Sequence, residues 1–131
     1  MPAVDVNHFP YQPRALEMRE AKPPKVCLVI ATAGRAEILA AAMRAVDAQI
    51  LPPDLILISC MRAEDVGHLA ERENLSILVG PPGLPAQRNT ALRHIPADFD
   101  IVVFLDDDFV AHPQWIAEAV SVFQRDRKSV V

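Results

Sequence analysis

Short apolar runs of strand length alternate with segments whose apolar residues recur at helical spacing, and few architectures accept that order. The runs are Val26-Cys27-Leu28-Val29-Ile30, Leu55-Ile56-Leu57-Ile58, Ile77-Leu78-Val79 and Ile101-Val102-Val103-Phe104-Leu105. Continuous apolar runs of this kind suit strands covered on both faces. From Arg35 onward Ile38, Leu39, Ala42, Met43, Val46 and Ile50 form one helical stripe, with Glu37, Arg44 and Asp47 opposite; Pro52-Pro53 stop it. Val66, Leu69 and Ala70 mark a short helix, with Glu64, Asp65, Glu71 and Glu73 around it. A third helix is expected from about Pro85 to His94, with Leu84, Ala91, Leu92 and Ile95 inward. A last one starts near Pro113, with Trp115, Ile116, Ala119, Val120 and Phe123 on one stripe. Strand then helix, repeated, predicts an α/β fold: a doubly wound, mostly parallel sheet with helices on both faces. Right-handed crossovers reduce the topologies, and the doubly wound solution gives strand order 3-2-1-4. Its winding reverses between strands one and four. Ligands bind at such a switch point, outside the carboxyl ends of the strands. The loops lining it would be Thr32 to Arg35 and Asp106 to Asp108.

The 131 residues suffice for about one domain with a sizeable core. A formal net charge of -4 argues against general affinity for a nucleic-acid backbone, which needs a clustered basic surface. The apolar runs fall well short of the ~18 residues that span a bilayer, and Met1 to Pro10 has neither a basic start nor an apolar stretch. Residues 1–24, with Pro2, Pro10, Pro13, Pro23 and Pro24, read as a proline-rich leader, extended, packed on the surface or disordered. Residues 25–131 read as one α/β domain. It ends in Ser129-Val130-Val131, which looks like the start of another strand and so like a domain cut short at its C-terminus. Cys27 and Cys60 each lie in an apolar run and suit buried thiols in a reducing compartment. The expected location is cytoplasmic or peripheral at the inner face of a membrane.

Asp106-Asp107-Asp108 is the strongest chemical feature. Adjacent carboxylates repel, so a fold that gathers them usually has a counter-charge to offer. In extended backbone Asp106 and Asp108 would project together and Asp107 away. Two convergent carboxylates with open positions suit Mg²⁺ or Mn²⁺, which leaves room for phosphate oxygens; solvated acids at a strand end are the alternative. Arg88 lies on the inward side of its helix and needs an anionic partner there, either the Asp run or a ligand phosphate, unless it snorkels past the helix end. Thr32-Ala33-Gly34-Arg35 presents free N–H groups and a glycine at a helix start, a place for an anion, or Thr32 is a plain cap. Neither a dinucleotide fingerprint nor a P-loop is present. His8, His68, His94 and His112 make no zinc spacing, and no catalytic triad can be assembled.

Three stretches together resemble family 2 glycosyltransferases: Val-Ile-Ala-Thr-Ala-Gly-Arg (29–35), Gly-Leu-Pro-Ala-Gln-Arg-Asn-Thr-Ala-Leu (83–92), and Phe-Leu-Asp-Asp-Asp (104–108) followed by Pro113-Gln114-Trp115. The resemblance covers about residues 25–126. It implies the Rossmann-like half of an A-type glycosyltransferase fold, a nucleotide-diphosphate sugar of the UDP or GDP type, and Mn²⁺ or Mg²⁺ at an Asp-x-Asp motif. By resemblance Asp106 lies near ribose and sugar and shares the metal with Asp108, and Asp107 belongs to the same nucleotide-sugar motif. Thr32 and Arg35 lie beside the nucleoside, and Arg88 near base and phosphates. Ala33 and Gly34 replace an aromatic and an asparagine common in the family, and Ser59-Cys60 replace acids at the end of strand two. The acceptor site and an acidic catalytic base belong to a later half of the family, and no residue here is named as base.

Three readings follow: a glycosyltransferase, a non-catalytic nucleotide-binding or interaction module, and another acid-pocket α/β class such as a nucleotidyltransferase. A phospho-acceptor domain needs acids at the end of strand one, where Thr32-Ala33 stand.

Overall fold

The computed structural model describes residues 23–126. The leader, except Pro23 and Pro24, and the expected strand at Ser129–Val131 lie outside the described residues. Four parallel strands form one sheet: β1 (Val26–Ala31), β2 (Leu55–Cys60), β3 (Leu75–Val79) and β4 (Ile101–Asp106). Their order is β3-β2-β1-β4, as expected. The helices are α1 (Ala36–Asp47), α2 (Leu84–Leu92) and α3 (Trp115–Asp126).

Strand alternation sends successive residues to opposite faces of the sheet. On one face Leu28, Ile30, Ile56 and Ile58 pack with Leu39, Met43 and Val46 of α1. Beside them Val26 and Ile101 meet Ile116 and Val120 of α3. On the other face Cys27, Val29 and Leu57 pack on Ala91 of α2. Fully burying side chains of the size of Leu39 or Ile58 stabilises by roughly 1.5–3 kcal/mol each. The stripe expected on α3 is the one it buries or half-buries.

Several local expectations are corrected. The short helix at Val66–Ala70 is a single 3₁₀ turn, Ala63–Val66, and Asp65 in it is buried rather than solvated. Ile38 of α1 stays exposed at the margin of the buried stripe, and Ile50 lies beyond the end of the helix, exposed too. On α2, Leu84 and Leu92 are exposed, while Gln87, Thr90 and Ala91 face inward. Ala91 and Ile95 pack inward as expected. Beside them the helix buries Gln87, which donates to the Thr32 and Ser59 carbonyls beneath it, and Thr90, whose hydroxyl donates to the helix's own Ala86 carbonyl. On β4, Val102 and Phe104 are exposed, because α2 covers β1 and β2 and does not extend over this edge strand. Among the described residues no helix is long and apolar enough to cross a membrane.

Candidate functional site

Register brings the chemistry together. Ala31, the last residue of β1, pairs with Asp106 on one side and Ser59 on the other. The loop that follows β1 and the turn that follows β4 thus leave the sheet side by side at its carboxyl edge. Between them lies a crevice of about 360 Å³. The β1 loop contributes Thr32, Ala33 and Arg35, α2 contributes Leu84 and Gln87, and β4 and its turn contribute Asp106, Asp107 and Asp108. This is the switch point anticipated from the strand order. A larger hollow of about 410 Å³ lies near Pro23, Pro24 and Leu51, but its carboxylate, Asp54, already accepts the Val26 N–H at 2.7 Å.

The three aspartates differ sharply. Asp107 is 5% exposed, while Asp106 and Asp108 are open to solvent. The Asp107 carboxylate accepts the Thr32 hydroxyl at 2.8 Å and the Arg35 Nε–H at 3.1 Å, and Arg35 Nη2 pairs with its second oxygen. This is a bidentate guanidinium–carboxylate fork. The hydrogen bonds and charge of Asp107 hold Arg35 protonated even more firmly than usual. Arg35 Nη2 also stands 4.0 Å from an Asp108 oxygen.

Asp107 does part from its neighbours, yet extended backbone is not the cause. The strand ends at Asp106, and the Phe109 N–H donates to the Asp106 carbonyl at 3.0 Å. Asp107 and Asp108 are the central residues of that turn. Three carboxylates against one guanidinium leave the crevice formally two negative charges in excess.

Arg88 lies outside the crevice lining. Its guanidinium carbon sits 5.2 Å from the centre of the Phe104 ring, a cation–π contact on the open face of β4, and it makes no ion pair among the described residues. Ser59 is fully buried, and its hydroxyl is the sole buried side-chain oxygen or nitrogen without a hydrogen-bond partner among the described residues. Cys60 is buried too, its Sγ 3.6 Å from the Leu78 carbonyl. No group of three or more His, Cys, Asp or Glu side chains is placed to hold a metal among the described residues.

Gln87 was not singled out from the sequence. It is buried, and its Nε2 donates to the Thr32 carbonyl at 2.9 Å and the Ser59 carbonyl at 3.1 Å. It ties the ends of β1 and β2 to α2 and forms the floor of the crevice. The available signal was its position one helical turn before Ala91, the smallest residue on the buried side of α2.

The family model described as Glycosyl transferase family 2 matches residues 63–131. A curated relative, succinoglycan biosynthesis protein ExoW of Rhizobium meliloti (strain 1021), is 39% identical over 66 residues, covering 48% of this chain and 21% of the relative. The chain thus spans about a fifth of the length of that relative. A crystal structure of 4-diphosphocytidyl-2C-methyl-D-erythritol synthase from Anaerococcus prevotii DSM 20548 superposes with a TM-score of 0.64 at 13% identity, over 79% of this chain and 52% of that one. That likeness supports the α/β fold alone.

Proposed function

The chain belongs to glycosyl transferase family 2, and from that premise we propose that its crevice binds the nucleotide-diphosphate part of a sugar donor, together with a divalent cation, for transfer of the sugar to an acceptor. The observation that carries this reading is the unequal fate of the three aspartates. Asp107 is consumed by Thr32 and Arg35, and Asp106 and Asp108 remain open at the crevice mouth. A diphosphate entering a crevice with excess negative charge is repelled unless a cation comes with it.

The donor set fits such a cation. Mg²⁺ and Mn²⁺ favour oxygen ligands, and Mg²⁺ is commonly held by one or two carboxylates plus substrate phosphates, with water in the remaining positions. Asp106 and Asp108 supply two carboxylates of this kind, so the want of a third protein ligand is no obstacle. A bound cation there supplies charge neutralisation on the diphosphate leaving group. The chain's own residues do the rest. Asp107 and Arg35 brace the β1 loop against the β4 turn, and Gln87 fixes the Thr32 carbonyl below. Thr32 and Arg35 border the nucleoside side, with Arg88 and Phe104 beyond them on the open face. A nucleotidyltransferase-like use of the same crevice is the second reading, with which the fold of the synthase that superposes on this chain is compatible.

Calorimetry with UDP and GDP tests the proposal. Binding with Mn²⁺ or Mg²⁺, and its loss in chelator, is the expected result; no binding under any metal condition refutes it.

A further inference from the structure

A second buried carboxylate acts on the crevice from outside it. Asp65 is 6% exposed, and its partners are backbone amides. Its Oδ2 accepts the N–H groups of Met61 and Arg62, each at 3.0 Å, which closes the 3₁₀ turn locally. Its Oδ1 accepts the Gly34 N–H at 2.9 Å, a bond across 31 residues. A local turn needs only the first two bonds, and a neutral Asn or Ser can cap one. The third bond reaches the residue next to Arg35.

The turn also presses on the same loop from another direction. Gly67, with φ +62°, follows it, and a Cβ there would stand 2.9 Å from the Ala36 Cβ at the start of α1. Gly34 itself has φ +62° and open space where a side chain would start, and its amide donates to Asp65. Burial works against the Asp65 charge, but the N–H groups of Arg62, Gly34 and Met61 outweigh it and hold the carboxyl below its usual range.

We propose that Asp65 is a positioning residue: through the Gly34 amide it fixes the β1 loop so that Arg35 meets Asp107 across the crevice. The inference rests on reading that crevice as the donor site. Asp65 touches no substrate in this scheme and acts through Gly34 and Arg35.

Amide and arginine Nε–H NMR spectra of the full chain test it. In the unaltered protein the Gly34 N–H should be protected from hydrogen exchange; exchange at the rate of an open loop overturns the proposal without any variant. Asp65→Asn keeps the size but has a single acceptor oxygen, so it can serve Gly34 or the Met61 and Arg62 pair, not both. The expected result is a moved Gly34 signal, exchange of the Arg35 Nε–H at least tenfold faster, and unmoved signals from β1 to β4. Asp65→Ala should do the same more strongly. Asp54→Ala is the control: Asp54 accepts the Val26 N–H at the opposite end of β1, and loss of that bond should lower stability without moving the Arg35 signal. An Arg35 signal unchanged in Asp65→Asn and Asp65→Ala, or moved equally in the control, overturns the proposal. UDP and GDP affinity with Mn²⁺ should fall about tenfold in Asp65→Asn. If the unaltered chain binds neither nucleotide, the donor-site reading fails, and the Gly34 and Arg35 spectra still decide whether Asp65 positions the loop.

Discussion

Replacing Gln87 isolates the floor of the crevice from its charges. Its side-chain amide donates to two carbonyls that are not equally dependent on it. The Ser59 carbonyl also accepts the Thr32 N–H at 2.9 Å, so it keeps a partner when Gln87 is lost. The Thr32 carbonyl, on a residue only 3% exposed, loses the Gln87 donor and is left buried. One orphaned buried carbonyl costs about 1–3 kcal/mol. Gln87→Leu nearly conserves volume and should therefore cost about 2 kcal/mol, within that range. Gln87→Ala adds lost methylene burial at about 0.8 kcal/mol per group. With a urea m-value of about 2 kcal/mol/M, the leucine variant lowers the midpoint by about 1 M at unchanged slope. Trp115, the single tryptophan, half-buried and 5.3 Å from the Phe109 ring, reports the transition by fluorescence. Gln87→Glu adds a sign test. A carboxylate facing carbonyl oxygens without water prefers to be protonated, so its folded pKa rises above the unfolded value of about 4.3. The resulting loss of stability is absent below that value and grows as pH rises above it. Gln87→Glu should thus fall further below the parent at pH 8 than at pH 5. A leucine variant within 0.5 kcal/mol of the parent, or a glutamate variant with no pH dependence, refutes the assignment; about 0.5 kcal/mol is the size of an ordinary surface substitution.

Asp107→Asn should lower stability and loosen Arg35, whereas exposed Asp108→Asn should leave urea unfolding nearly unchanged and cut Mn²⁺-dependent nucleotide affinity at least tenfold, about 1.4 kcal/mol; calorimetry and urea curves on both variants separate the effects. Gly67→Ala should destabilise more than Gly34→Ala, because both positions have φ +62° but only at Gly67 does the new Cβ meet Ala36, a comparison read from thermal midpoints. Burial pushes the Cys27 thiol up to about 11 and raises that of Cys60, so both should resist alkylation at pH 8 until the chain unfolds, as mass spectrometry along a urea series would show.

The sheet was legible because its strands are dense in Val, Ile and Leu and crossover handedness leaves few orders open. The crevice followed from that order, which put Thr32, Arg35 and the Asp run at one edge before any contact was known. What stayed hidden was non-local or polar. The partners of Asp107 lie 72 and 75 residues away, so no local pattern shows that it is the buried acid. Asp65 sits among Glu64, Glu71 and Glu73 and reads as one more solvated acid, although its amide partners bury it. Arg88 was read as meeting the Asp run or a ligand phosphate unless it snorkels past the helix end; it pairs with none of the three aspartates, and its near neighbour is the Phe104 ring on the uncovered face of an edge strand. Helix α2 was legible in part: Ala91 and Ile95 pack inward as expected, but Leu84 and Leu92 are exposed, and the buried Gln87 is held by hydrogen bonds to the Thr32 and Ser59 carbonyls that apolar periodicity does not register.

The central claim is that excess negative charge at Asp106 and Asp108 makes nucleotide binding depend on a cation. The direct measurement is the ratio of the UDP Kd in chelator to that in Mn²⁺, for the parent chain and for a variant carrying both Asp106→Asn and Asp108→Asn. The parent should show a ratio above about one hundred, nearly 3 kcal/mol of metal dependence. The double variant, with the excess charge removed, should bind weakly with a ratio near one. Equal affinities in chelator and Mn²⁺ for the parent chain, or a double variant as metal-dependent as the parent, would contradict the account.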